Sequence, residues 1–255
     1  MTLVVVQART GSSRLPGKVL LPLAGKTVLE RQIERILAAP AIFDLVVATT
    51  TDVADEAIVG LCRRIGVRSY AGHPTDLLDR HLGAARAAGE DDLVVKIPSD
   101  CPLIDPAAIG RVLAAYDGED YLGNLHPPSW PDGNDVEIMT LEALETAWHE
   151  ADRPFQREHT TPFLWDQPHR FRVGNVLWET GRDLSHSHRF TLDYPEDYAL
   201  IRAIYNALGP EPFGLAAILE LLEARPDLLA LNARFAGRSW MDHHRHELHT
   251  LGEPR

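Results

Sequence analysis

The chain predicts an α/β fold: a mostly parallel sheet with helices packed on both faces. Three observations predict it. Short β-branched apolar runs, Leu3-Val-Val-Val6, Leu45-Val-Val-Ala48 and Leu93-Val-Val-Lys-Ile97, read as buried strands. Stretches with apolar residues at helical spacing lie between them, and strand–helix alternation of this kind builds parallel sheets covered on both sides. The chain has 255 residues and 45% hydrophobic content, enough for one large domain with a sizeable core.

Taken in order, Leu3–Val6 is the first strand, and Val28 to Ala38 is a helix with Leu29, Ile33, Ile36 and Leu37 on one face. After the strand at Leu45–Ala48, Ala54 to Ile65 reads as a helix ended by Gly66. Val67 to Ala71 is a short strand, Asp76 to Ala88 a helix and Leu93 to Ile97 a strand. Pro106 to Tyr116 is a helix with proline in its first turn. His126 to Asn134 is loop-like, Asp135 to Met139 alternates as a strand does, and Leu141 to Glu150 is helical. Arg153 to Trp165 reads as one further helix, Phe171 to Val176 as a strand, Pro195 to Leu208 as a long helix and Leu215 to Leu222 as a small one. The end, Met241 to Arg255, carries His243, His244, His246 and His249 and reads as a solvated, partly disordered tail rather than a metal site.

The formal net charge of −12 argues against a nucleic-acid or anionic-membrane surface, which needs a basic face. It leaves room for a small anionic substrate held by local cations. Two cysteines, Cys62 and Cys101, make no disulfide framework, and Cys62 sits on an apolar helical face. Neither a signal-peptide core nor a membrane-length apolar run is present, which gives the expectation of a soluble cytoplasmic protein.

The stretch Gln7-Ala-Arg-Thr-Gly-Ser-Ser-Arg-Leu-Pro-Gly-Lys18 lies between the first strand and the first helix. Small residues let backbone N–H groups approach a ligand, and Arg9, Arg14 and Lys18 can neutralise phosphate. It is not a Walker A loop, because five residues separate Gly11 from Gly17 and Val19 follows Lys18. No Gly-x-Gly-x-x-Gly occurs. Ligands of parallel sheets bind at the carboxyl ends of the strands, so the loops after Val6 and Ile97 belong to one rim. That places Arg14 and Lys18, on an exposed rim, beside Asp100.

Gly-Ser-Ser-Arg-Leu-Pro-Gly-Lys resembles the Gly-x-x-Arg-x-Pro-x-Lys signature of the sugar nucleotidyltransferases. The longer stretch is similar to the cytidylyltransferase branch, and within it to the spore-coat polysaccharide biosynthesis protein F group, relatives of the CMP-sialic acid and CMP-KDO synthetases. The likeness implies a Rossmann-like fold of the nucleotide-diphospho-sugar transferase type. Four later stretches extend it. Ser99-Asp-Cys-Pro-Leu-Ile-Asp105 resembles the family's Gly-Asp-Cys-Pro-Leu-Ile-Asp, with serine replacing the usual glycine. Asp193-Tyr-Pro-Glu-Asp197 resembles Asp-x-Pro-Glu-Asp. Pro131-Asp-Gly-Asn-Asp-Val-Glu137 and Arg157-Glu-His-Thr-Thr-Pro162 resemble the group's Pro-Asp-Gly-x-Asp-Val-Glu and Arg-Glu-His-Val-Thr-Pro.

The resemblance runs from Leu3 to about Leu208. It implies a nucleotidyltransferase domain over residues 1–208, with an acceptor-binding insertion near 120–180, followed by a helical extension and His-rich tail over 209–255. It further implies that Arg14, Lys18 and Asp100 are catalytic and that Asp100 and Asp193 bind the Mg²⁺ cofactor. Read alone, these two aspartates are turn or helix-capping residues. Gln7, Ala8, Arg9, Gly11, Ser12, Ser13, Arg14, Lys18 and Ser99 would contact the nucleotide. Asp79 and Arg80 are nucleotide-site candidates or a solvated helical ion pair. Asp135, Glu137, Arg157, Glu158 and His159 would hold the acceptor or form a structural ion-pair cluster, and His159 could be a general base.

The implied reaction joins CTP to a sugar acid or sugar phosphate with release of pyrophosphate, for surface polysaccharide or glycan biosynthesis. A homodimer stays open, and no nucleic-acid or membrane partner is implied. A glycosyltransferase usually carries Asp-x-Asp, which is absent here. A non-catalytic nucleotide-binding protein on the same fold is the other rival, against which the loop cations and metal carboxylates argue.

Overall fold

The computed structural model describes residues 2–89 and 92–250. Its strands are β1 (Thr2–Gln7), β2 (Pro22–Leu23), β3 (Lys26–Thr27), β4 (Asp44–Thr50), β5 (Arg68–Gly72), β6 (Leu93–Pro98), β7 (Tyr121–Gly123), β8 (Glu137–Thr140) and β9 (Val173–Asn175). The main helices are α1 (Val28–Leu37), α2 (Glu56–Ile65), α3 (Leu77–Ala88), α4 (Pro106–Ala114), α5 (Leu141–Glu150), α6 (Pro154–His159), α7 (Pro162–Trp165), α8 (Pro195–Leu208) and α9 (Leu215–Ala224).

Seven strands form one sheet in the order β5-β4-β1-β6-β8-β7-β9. Strands β5, β4, β1 and β6 run parallel, β8 is antiparallel to both neighbours, and β7 and β9 are parallel to each other. The expected mostly parallel sheet is what forms. Its period-two alternation sorts β1 between two layers. Val4 and Val6 pack with α1, α2 and α4, whereas Leu3 and Val5 pack with α3 and α5. Each such buried side chain contributes about 1.5–3 kcal/mol of transfer free energy. Cys62 lies in the first of these cores, as its helical position predicted.

Two local features hold α1 in place. A capping box joins Thr27 and Glu30 at its start, and the β2–β3 hairpin turns through Ala24 (φ 46°) and Gly25 (φ 83°) just before it. Register then fixes the rim. Gln7 is opposite Pro98, and the Ser99 amide donates to the Gln7 carbonyl at 3.2 Å. The loops after β1 and β6 therefore leave side by side, as the parallel-sheet argument required.

Two expectations need correction. The single helix over Arg153–Trp165 is broken into α6 and α7, because Thr160 takes φ 72° and Pro162 has no N–H to continue the ladder. Over its described part the solvated tail is anchored to the domain rather than disordered, although His243, His246 and His249 are exposed. Leu248 is buried, the His249 and Thr250 amides donate to Asp166 at 3.0 and 2.8 Å, and Arg153 holds the Glu247 carbonyl at 2.9 Å. Residues 251–255 of the expected tail lie outside the described residues. No helix among the described residues is long and apolar enough to cross a membrane.

Candidate active site

The loop after β1 is pinned at its base and open at its tip. The Thr10 amide and hydroxyl both donate to Asp55 Oδ1, at 2.7 and 2.6 Å, and the Thr50 hydroxyl donates to Asp55 Oδ2 at 2.5 Å. Burial opposes the charge on Asp55, but these bonds outweigh it and hold the carboxyl below its ordinary range. Gly17, at φ 67°, donates its amide to the Thr10 carbonyl at 2.9 Å and closes the loop. Gly11, Ser13 and Arg14 are exposed at the tip, with Ser12 half-buried. Arg9 is also exposed, while Ala8 and Ser99 are buried at the loop base.

Lys18 turns inward, contrary to the exposed-rim expectation: its side chain is only 12% exposed. Its Nζ donates to Asp193 Oδ1 at 2.8 Å, to Asp100 Oδ2 at 3.2 Å and to the Leu192 carbonyl at 2.7 Å. Burial acts against the ammonium, yet Asp100 and Asp193 more than offset it and raise its pKa. Arg14 reaches the other oxygen of Asp193 at 3.1 Å while staying 53% exposed. Burial likewise disfavours charge on Asp193, and Lys18 foremost, then Arg14 and Arg189, overcome it, so this carboxyl stays ionised below its usual range. Asp100 and Asp193, 93 residues apart in sequence (193 − 100), thus meet at one ammonium.

Asp193 does not cap the helix that follows. The Asp197 carboxylate, inside the first turn of α8, accepts the amides of Asp193 and Tyr194 at 2.9 Å each. That frees the Asp193 side chain. Beneath it Arg189 forks to Asp132, Asp193 and Asp197, each at 3.1 Å. Asn232 completes the support, donating to Asp197 Oδ1 at 2.8 Å and to the Arg189 carbonyl at 2.9 Å. Tyr194 stacks flat on Phe235 with ring centroids 3.8 Å apart. The roles of Arg189, Asp132, Asp197 and Asn232 were missed from sequence. Asp132 and Asp197 lay inside quoted motifs, but nothing in the chain order pointed to Asn232.

The donor set suits a hard divalent cation. Asp100 and Asp193 offer oxygen only, and a cationic group already lies between them as Lys18 Nζ. Among the described residues no third carboxylate, histidine or cysteine gathers with them as a metal cluster. Magnesium is typically held by one or two carboxylates together with substrate phosphates, so a pair is sufficient. Cys101 is no competing soft ligand, since burial pushes its thiol well above the ordinary range.

A second group of residues lies deeper, on the α3 side of the sheet. Glu137 and Lys96 face each other across β8 and β6 as a buried ion pair. Glu137 Oε1 also accepts the Tyr121 hydroxyl at 2.9 Å and the Thr161 hydroxyl at 2.6 Å. His159 is half-buried near them; burial and then Lys96 push its pKa down to about 3. Arg157 does not join this group: it pairs with Asp76 at the cap of α3 and bonds the carbonyls of Trp148 and Ala151. Glu158 is exposed. Asp135 is half-buried towards the rim, where burial and then Asp132, Asp100 and Glu137 raise its pKa.

Asp79 and Arg80 are not a solvated ion pair. Asp79 accepts the Trp148 indole N–H at 2.8 Å, whereas Arg80 is 4% exposed and donates to the His73 carbonyl at 3.1 Å. Burial, then the charge of Arg9, lowers Arg80 to about 10. Its Nε and the Gln7 side-chain carbonyl are buried without a protein partner.

The fold and this rim together define an α/β nucleotidyltransferase. The chain belongs to the cytidylyltransferase family, whose model matches residues 3–223. The spore coat polysaccharide biosynthesis protein SpsF of Bacillus subtilis is 29% identical over 239 residues, covering 88% of this chain and 95% of its own. An 8-amino-3,8-dideoxy-manno-octulosonate cytidylyltransferase of Shewanella baltica is 33% identical over 226 residues, 86% of this chain and 82% of its own. The structure of a cytidylyltransferase from Leptospira borgpetersenii superposes with a TM-score of 0.84 at 29% identity, over 93% of this chain and 98% of that one.

Proposed function

We propose that the protein is a CTP-dependent sugar nucleotidyltransferase: an oxygen of a sugar acid or sugar phosphate attacks the α-phosphorus of CTP, forming a CMP- or CDP-activated sugar as the bond to pyrophosphate breaks. The observation that carries this is Lys18 Nζ held between Asp100 and Asp193, with Arg14 on the outer oxygen of Asp193. The activity of the Shewanella relative, an 8-amino-3,8-dideoxy-manno-octulosonate cytidylyltransferase, supports the sugar acceptor.

Arg9, Arg14 and Lys18 take the triphosphate charge, and the amides of Gly11, Ser12 and Ser13 line its path. Gln7, Ala8, Ser99, Asp79 and Arg80 surround the nucleoside end; Gln7 and Arg80 supply buried polar atoms that have no protein partner. Asp100 and Asp193 would hold Mg²⁺, which when bound neutralises phosphate charge and lowers the barrier to attack. Lys18 keeps Asp193 ionised and draws Asp100 and Asp193 together before substrate arrives. Asp135, Glu137 and His159 position the acceptor, with Arg157 and Glu158 behind them. A pKa of about 3 makes His159 too weak a base for proton abstraction near neutrality, so its part is to orient the acceptor.

Residues 1–208 are the catalytic domain in this reading, 209–255 an extension, and the protein acts in the cytoplasm on precursors of surface polysaccharide or glycan. The test is pyrophosphate release, screened over four NTPs against a panel of sugar acids and sugar phosphates. CTP with Mg²⁺ should also raise the melting temperature more than UTP, ATP or GTP, because a ligand that binds the native state stabilises it. A larger rise with another NTP would overturn the choice of nucleotide.

A further inference from the structure

We propose that the segment Trp240–Thr250 forms one wall of the acceptor subsite, with the Trp240 indole as a platform for the sugar ring and hence a specificity-determining residue. The segment lies beyond residue 223, where the family model's match ends. The proposal rests on the sugar-acceptor reading above.

The segment is seated on the acceptor side of the molecule at several independent points. Trp240 stacks on His159 with ring centroids 3.7 Å apart and planes 15° from parallel. His244 stacks on Phe155 at 5.0 Å and lies 6.4 Å from His159. The Asp166 carboxylate, next in sequence to Trp165, accepts the amides of His249 and Thr250. Trp240 is also 6.4 Å from Trp165, whose other neighbour is His126, stacked at 3.9 Å. His126, Trp165, Trp240 and His159 therefore form a continuous aromatic row.

The row has unused polar capacity. Trp165 is 3% exposed, yet its Nε1 has no hydrogen-bond partner, and neither has His126 Nδ1. Buried polar atoms are paired in most native structures, and these two, on the aromatic row that Trp240 extends, have no partner within the protein. A polyhydroxylated ring fits both needs: its hydroxyls pair with those atoms while its apolar C–H face lies on an aromatic surface. Trp240 is half-buried, so its indole is packed but not fully enclosed.

The test uses the full-length protein and Trp240→Ala and Trp240→Phe variants, with 8-amino-3,8-dideoxy-manno-octulosonate and mannose 1-phosphate as acceptor probes. Trp240→Ala should raise the KM of the acceptor that wild type uses by about tenfold, the loss expected from one aromatic contact. It should leave the KM for CTP within about twofold, and Trp240→Phe should keep the acceptor KM within about threefold. Binding of the same probe without CTP or metal should quench tryptophan fluorescence in wild type and clearly less in Trp240→Phe. An unchanged acceptor KM in Trp240→Ala, or equal rises in both KM values, would overturn the proposal. A wild type that CTP stabilises but that turns over neither probe would overturn the sugar-acceptor reading, and this proposal with it.

Discussion

The proposed phosphate rim and the proposed acceptor side are built on different principles. The rim gathers Lys18, Asp100 and Asp193 at the ends of two adjacent parallel strands and the entry to α8, with Arg14 still open to solvent. The acceptor side gathers Lys96, Glu137, Tyr121, Thr161 and His159 in the interior, where each charge is consumed by a neighbour. In the proposed reading, register at strand ends suffices for charge delivered to a phosphate, and discrimination among acceptors is left to irregular segments that pack on the sheet. Cations at the rim are therefore expected to act mainly on turnover, and charges on the acceptor side mainly on stability.

The largest expected effect lies on the acceptor side. Glu137→Gln breaks a buried pair and leaves Lys96 uncompensated, which should cost about 3–5 kcal/mol in urea unfolding. A loss below about 1 kcal/mol would mean the pair is effectively solvated. Burial opposes the charge of Glu137, but Lys96 outweighs it and lowers the pKa. Its contribution is thus present above the ordinary carboxylate range and lost as pH falls through the lowered folded value, so Glu137→Gln should flatten part of the acid limb of the stability profile.

At the rim, Lys18→Ala and Arg14→Ala should each lower kcat/KM by roughly tenfold to a thousandfold through loss of a charge-assisted phosphate contact. They should differ without ligand. Lys18→Ala leaves two adjacent carboxylates unbalanced and should lower the melting temperature, whereas the exposed Arg14 should be nearly neutral. Equal melting temperatures would erase the distinction between the two cations.

Asn232→Ala sits between the regions in size. It removes bonds to Asp197 and the Arg189 carbonyl, and should destabilise by about 1–3 kcal/mol while raising the Mg²⁺ needed for half-maximal rate. A purely structural asparagine would leave the Mg²⁺ requirement unchanged. The smallest effect belongs to Asp135, whose pKa burial and nearby carboxylates raise. A raised folded pKa gives stability that is complete below the ordinary value and is lost as pH rises through the folded one. Asp135→Asn should therefore stabilise the chelated protein more at pH ~8 than at pH ~5; the opposite trend would contradict the assignment.

The sheet and the adjacent loops after β1 and β6 were legible in sequence because both depend on local signals, whereas Asp193 was joined to them only through the family resemblance. The Leu3–Val6, Leu45–Ala48 and Leu93–Ile97 runs each became a parallel strand, and register alone joined their loops. The acceptor side was less legible because its contacts are tertiary. The three residues of β7 are too few to show a period, and Thr160 and Pro162 split a helix that the apolar pattern carried through. Arg157 has a motif position, yet Asp76, 81 residues away, takes it. Asn232 and Trp240 follow the quoted motifs and act only through partners brought near by folding.

The central claim is that Asp100 and Asp193 act as one unit on a shared cation. The Mg²⁺ dependence of pyrophosphate release from CTP, in wild type, Asp100→Asn, Asp193→Asn and the double variant, tests it most directly. Each single variant should lose most activity and need more Mg²⁺ to reach half of its residual rate, and the double variant should be little worse than either one. Losses that multiply, with an unchanged Mg²⁺ requirement, would show that the two aspartates do not hold a common ion.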